Sequence, residues 1–167
     1  MKIHVLRHGI AVVRGDLDVE NDSERQLTLK GKRQLWQTAA AMKTMGLRFD
    51  LILSSPYLRA KQTAEIIAES LKLKKQLGFA NALAPDGSPK NLIGQLNELK
   101  PAPENVLLVG HEPYLSCLIS LLTTGGTDLM MDFKKSGLCK LETETLSHDR
   151  CATLVWLLTP KQMKLMA

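Results

Sequence analysis

Apolar positions along this chain fall into two alternating kinds of segment. The short runs 3–6, 51–53 and 106–109 are too brief for helices and read as buried strands. Longer stretches between them carry helical periodicity. Leu35, Ala39 and Met42 form one stripe with Trp36 and Ala40 beside it, and Ala60, Ala64, Ile67, Ala68 and Leu71 form a second. Leu92, Ile93, Leu96 and Leu99 face inward on a third helix, and Leu115, Leu118, Ile119 and Leu122 on a fourth. The punctuation agrees. Thr28 caps the first helix and Gly46 ends it; Ser55-Pro56 and Ser88-Pro89 each read as a cap followed by a first-turn proline. Pro101 and Pro103 close the third helix, Pro113 opens the fourth, and Gly125-Gly126 stops it. A short strand is expected within 73–83. Near the end, 138–145 partly alternates, Ser147-His148-Asp149 reads as a turn and 152–158 as a strand, which predicts a hairpin. Strands alternating with helices predict an α/β fold: a three-layer sandwich around a mainly parallel central sheet, with a C-terminal antiparallel hairpin, in one domain over 1–167.

Composition narrows the function classes. The 167 residues contain no apolar run long enough to cross a membrane, and Met1-Lys2-Ile3-His4 enters a strand without a signal-peptide pattern, so a cytoplasmic protein is expected. Cys117, Cys139 and Cys151 lack redox or zinc-site spacing and read as reduced thiols, Cys117 within the core. The net charge of +5 suits an anionic substrate. Lysines and arginines are scattered and aromatics are only 4%, so nucleic acid is not an expected partner.

The candidate chemistry lies where strands end. Arg7-His8-Gly9 follows the first strand, and Gly110-His111 follows the strand at 106–109. Arg59 lies in the first turns of the helix after the second strand. In a parallel α/β sheet the ligand crevice opens at the carboxyl ends of strands, so all of these meet at one edge. Two arginines grip a phosphoryl group through paired hydrogen bonds and offset the charge that develops during its transfer. Nearby guanidiniums disfavour a protonated His8, which keeps a lone pair for attack on phosphorus. His111 is then an oxyanion donor. The long polar stretch from Gly9 to Leu27 holds Arg14, Asp16, Asp18, Asp22 and Arg25, and a loop of that length is expected to be functional. Arg25 reads as its anchor, Glu112 as a complement to the following helix dipole, and His4 as a core histidine.

Three separated motifs carry a resemblance. Leu6-Arg7-His8-Gly9, the run Ser54-Ser55-Pro56-Tyr57-Leu58-Arg59-Ala60-Lys61-Gln62-Thr63-Ala64 and Val109-Gly110-His111-Glu112-Pro113 resemble the histidine phosphatase superfamily. Asp22-Ser23-Glu24-Arg25-Gln26-Leu27-Thr28 is similar to a segment of its SixA-type phosphohistidine phosphatases, with Gln26 in place of the usual proline, and Leu83-Ala84-Pro85-Asp86-Gly87 is a partial match. The resemblance implies a phosphoglycerate-mutase-like fold and a phosphohistidine intermediate on His8. It further implies a phosphate pocket of Arg7, Arg59, His111 and Gly9, with no metal and no cofactor. The chain has no counterpart of the glutamate that mutase-like relatives carry after their third strand; Asp22 is the best substitute as a proton donor.

Only 52 positions separate Arg59 from His111, which leaves no room for the large helical cap of the small-molecule branch. The expected function is therefore a metal-independent phosphohistidine phosphatase acting on a phosphohistidine-bearing protein such as a phosphotransfer domain. Two alternatives use the same residues: a phosphatase of small phosphomonoesters and a non-catalytic phosphohistidine-binding module. A metallo-phosphoesterase with His8, His111 and Asp22 as ligands lacks the closely spaced donors that such sites need.

Overall fold

The computed structural model describes residues 1–13 and 21–167. Arg14, Asp16 and Asp18 of the long first loop lie outside the described residues. One six-stranded sheet carries the fold, in the order β3-β2-β4-β1-β5-β6. Its parallel part is β1 (Lys2–Arg7), β2 (Leu51–Ser54), β3 (Leu77–Phe79) and β4 (Asn105–Gly110). The expected hairpin is β5 (Leu138–Thr143) and β6 (Ala152–Leu158), joined antiparallel to β1 through β5. The α/β sandwich read from the sequence is therefore the fold.

Alternation within the central strands explains the three layers. Ile3 and Val5 of β1 and Val106 and Leu108 of β4 belong to one buried cluster with Leu92, Leu96, Leu115 and Ile119. These come from α3 (Pro89–Glu98) and α4 (Tyr114–Thr124). Leu6, Leu107 and Val109 point the other way, into a cluster with Ala39, Met42, Ala60, Ala64 and Ile67 of α1 (Leu29–Thr44) and α2 (Leu58–Ser70). Strands covered on both faces read as continuous apolar runs, which is why they stood out in the sequence. Thr28 caps α1 through Gly31 N, and Ser88 caps α3 through Asn91 N, as expected. Gly125 closes α4 in the left-handed region at φ +86°, where a side chain is strained.

Three expectations meet a different outcome, and one element is new. Ser55 does not cap α2: the helix begins at Leu58 with Tyr57 before it, and the Ser55 hydroxyl is turned into the site instead. Leu99 falls one residue beyond α3, where the chain turns extended, and is exposed, as is Trp36 at the edge of its stripe. Cys117 is half-buried, not core. The last residues form a fifth helix, α5 (Pro160–Met166), started by a capping box between Thr159 and Gln162. Its Met163 is fully buried against the α1–α2 side of the sheet. The signal was legible as Thr-Pro-Lys-Gln, a cap, a first-turn proline and a glutamine at the third helical position.

His4 is buried in β1, with its ring 5.1 Å from that of Phe49 and 5.8 Å from that of Trp156. Burial, then the charge of Lys140, lowers its pKa to about 4. The unfolded chain binds this proton near pH 6.5 and the fold refuses it until about pH 4, so the stabilisation is complete above 6.5 and is lost on acidification. We expect His4 alone to cost the wild type about 2 kcal/mol between pH 7 and pH 5. Urea midpoints at the two pH values should show a smaller loss in His4→Leu; equal losses would exclude His4 as the acid-sensitive group.

Candidate active site

Register brings the two histidines together. Arg7 pairs with Gly110 across β1 and β4, so the next residue of β1 is His8 and the next of β4 is His111. Ser54 pairs with Val109, which delivers Ser55 and then the first turns of α2 to the same edge. The His8 and His111 rings lie 5.1 Å apart, centroid to centroid, and both are buried. Arg59, from the first turn of α2, is buried beside them.

The tautomer of His8 follows from its partners. Its Nδ1 lies 2.7 Å from the Gly9 carbonyl oxygen, which only accepts, so Nδ1 carries the proton. Nε2 then holds the lone pair, and Arg59 Nε–H donates to it at 3.3 Å. Burial is the main reason that the His8 pKa falls to about 3. The Gly9 hydrogen bond opposes this, while His111, Arg59 and Arg7 add to it. The sequence reading credited the guanidiniums; desolvation is the larger cause.

Gly9 has a positioning part. Its N–H donates to Thr63 Oγ1 at 3.1 Å, and Thr63 in turn donates to the Arg59 carbonyl at 2.6 Å. A Cβ on Gly9 would stand 2.8 Å from Leu35 Cδ1 and 3.2 Å from Leu27 Cδ2, so a side chain here has to displace buried leucine methyls.

His111 rests on a residue that the sequence reading assigned elsewhere. Its Nε2 is 2.8 Å from Ser55 Oγ, which also accepts from Tyr57 N–H at 3.3 Å. A hydroxyl offers one donor and two lone pairs, so this contact suits either neutral tautomer of His111. Among the described residues the buried His111 Nδ1 makes no hydrogen bond. Burial, then Arg59, holds the His111 pKa at about 3. Ser55 had a legible signal in its place beside Arg59 in one motif, but its bond to His111 depends on tertiary pairing.

Charged groups frame the pair. Asp22 Oδ2 accepts from Arg59 Nη2 at 2.8 Å, its backbone carbonyl accepts from Arg59 Nη1 at 2.6 Å, and Asp22 Oδ1 accepts from Arg25 Nη1 at 2.7 Å. Partial burial raises the Asp22 pKa, but these two guanidiniums outweigh it and the net shift is downward. Asp22 is thus an anion near neutral pH. Arg25 also donates from Nε to the Val12 carbonyl at 2.8 Å, the anchoring role expected of it. Arg7 Nη1 donates to the Phe133 carbonyl at 2.7 Å, which ties the strand end to the segment before β5. Glu112 reaches back over the first turn of α4, accepting from Ser116 N–H at 3.1 Å and from the Ser116 hydroxyl at 2.5 Å.

Among the described residues no three of His, Cys, Asp and Glu converge to hold a metal. No described helix is long and apolar enough to cross a membrane.

The comparisons with known proteins agree on family and fold. The sequence profile of the histidine phosphatase superfamily (branch 1) matches residues 3–79. An uncharacterised protein of Picosynechococcus sp. is 36% identical over 144 residues, covering 86% of each chain. The phosphohistidine phosphatase SixA of Escherichia coli is 29% identical over 166 residues, covering 99% of this chain and 98% of the relative. The solved structure of the protein histidine phosphatase SixA in complex with tungstate superposes with a TM-score of 0.80 at 28% identity, over 96% of this chain and 98% of that one. With the RHG strand end, the second histidine and the helical arginine drawn to one sheet edge, the chain belongs to the histidine phosphatase superfamily and is a phosphatase related to SixA.

Proposed function

We propose that the protein hydrolyses phosphohistidine on another protein, such as a phosphotransfer domain, through a phosphorylated His8. The observation that carries this reading is the His8 tautomer, with Nδ1–H bonded to Gly9 and the Nε2 lone pair beside Arg59. In the first step Nε2 attacks phosphorus, the Nε2–P bond forms and the P–N bond to the substrate imidazole breaks. In the second, water attacks phosphorus, the Nε2–P bond breaks and inorganic phosphate leaves, which restores His8. The Gly9 carbonyl stabilises the positive ring that exists while phosphorus is attached. Arg7, Arg59 and His111 offset the charge on the phosphoryl oxygens.

Two features support a protein-borne phosphohistidine. Between Arg59 and His111 the chain is taken up by the rest of α2, β3, α3, β4 and short connections, so this segment holds no cap domain. The Escherichia coli relative matched along nearly its whole length is a phosphohistidine phosphatase. The substrate also suits the acid inventory. Imidazole leaves phosphorus far more readily than an alkoxide, so this substrate needs less help from a proton donor than a sugar phosphate does.

Asp22 in its described place is a brace for Arg59, and it serves as a donor only once it has released both guanidiniums. We therefore expect Asp22→Asn to lower turnover of a phosphohistidine protein by about tenfold or less. A general acid is worth about 10²–10⁴-fold, so a loss beyond a hundredfold would make Asp22 the donor. The reading as a whole is tested by phosphate release from a ³²P-phosphohistidine phosphotransfer domain and from small phosphomonoesters, each with chelator present. Faster turnover of the phosphoprotein supports it. Faster turnover of the phosphomonoesters would move the substrate to small molecules, and loss of activity in chelator would overturn metal independence.

A further inference from the structure

We propose that Lys135 is a further substrate-binding cation of the site, gripping the phosphoryl group at its mouth beside Arg7. This rests on His8 being the phosphoryl acceptor. Lys135 belongs to a β-turn closed by the Gly137 N–H on the Lys134 carbonyl at 2.8 Å. The turn is fastened to the nucleophile's own strand end. Ser136 N–H is shared between the carbonyls of Arg7 and His8, at 3.1 and 3.2 Å, and Gly137 O accepts from Arg7 N–H at 3.1 Å. Arg7 Nη1 holds the Phe133 carbonyl from the other side. Ser136 sits at φ +61°, a left-handed conformation unusual for serine, and this places its N–H under the Arg7–His8 corner.

The two lysines of the turn differ. Lys134 is exposed and paired with Asp132 at 2.5 Å. Lys135 is half-buried and makes no ion pair among the described residues; with Arg7 and the Asp132–Lys134 pair it lines a cleft of ≈ 660 Å³ that extends toward Lys161 at the start of α5. Burial lowers the Lys135 pKa, and the next causes are Arg7, Arg25 and Arg59. The ammonium therefore feels the positive charge of three guanidiniums gathered at the site. Asp22 already pairs Arg59 and Arg25, so the like charge that a phosphoryl dianion relieves at the mouth is mainly that of Arg7 and Lys135.

The test separates binding of phosphate from docking of protein. Wild type, Lys135→Met, Lys135→Arg and Lys134→Met are compared for KM and kcat on a phosphorylated phosphotransfer domain and for affinity toward inorganic phosphate by calorimetry. We expect Lys135→Met to raise KM and to weaken phosphate binding, each about tenfold, with kcat within about threefold. Lys135→Arg should recover most of both losses, and Lys134→Met should change neither by more than about twofold. Unchanged phosphate affinity in a folded Lys135→Met overturns the proposal, even if KM for the phosphoprotein rises, because the lysine then touches the carrier and not the phosphoryl group. Phosphate calorimetry needs no turnover, so the proposal is decided even if phosphohistidine proves not to be the substrate.

Discussion

His8→Ala releases phosphate from a phosphohistidine protein at least about a thousandfold more slowly than wild type and forms no phosphorylated enzyme. No other described nitrogen at the sheet edge combines a lone pair, burial and a guanidinium within hydrogen-bond reach of it. The His111 ring is 5.1 Å away, but its Nε2 is engaged by Ser55 and no guanidinium hydrogen-bonds to it. Single-turnover mixing with a ³²P-labelled substrate reads both parts. Wild type should pass through an acid-labile, alkali-stable label that the variant lacks. The thermal midpoint of His8→Ala controls for folding, since the ring is buried. A pH profile adds a second reading. With a pKa of about 3, His8 stays deprotonated across the neutral range, so kcat/KM should show no acid limb near pH 6.5 on its account. A well-folded variant that still hydrolyses phosphohistidine at more than about a tenth of the wild-type rate would remove His8 from the nucleophile's role.

Arg59→Ala is expected to lower kcat/KM by about 10²–10³-fold, the range for loss of one preorganised charged donor. Three contacts go with the side chain: Nε on His8 Nε2, Nη1 on the Asp22 carbonyl and Nη2 on the Asp22 carboxylate. The first orients the nucleophile and the others hold the loop bearing Asp22 over the site. Lysine offers one ammonium where guanidinium offers a planar fork, so Arg59→Lys should recover little. Comparing kcat with KM divides the effect. A fall mainly in kcat places Arg59 on the transition state, whereas a rise confined to KM would reduce it to a docking charge.

The positions that the sequence made legible are those where local chemistry speaks alone. Runs buried on both faces marked β1, β2 and β4, and caps and prolines marked the helices. The motifs around His8, Arg59 and His111 had to lie at strand ends or just past them, and a parallel sheet sends such ends to one edge. The misreadings also have local causes. Ser55 looks like a cap because serine before proline usually is one, yet its hydroxyl finds His111, 56 residues away. The Gly9 N–H, just after the histidine, is held by Thr63, 54 residues on, a partner that its own segment does not reveal. The last helix went unread because its apolar face rests on Met163 and Met166 alone, too short a pattern to show a period.

By itself the sequence determined the α/β class, the strand ends that carry the chemistry and the family, since each is written in contiguous residues or in their order. Only the tertiary structure decided which nitrogen of His8 is free, what holds His111, how Asp22 is shared between two arginines and that Lys135 stands beside Arg7. Those facts depend on the register of β1 against β4, where one residue of slip would part His8 from His111, and on hydrogen bonds between residues far apart in the chain.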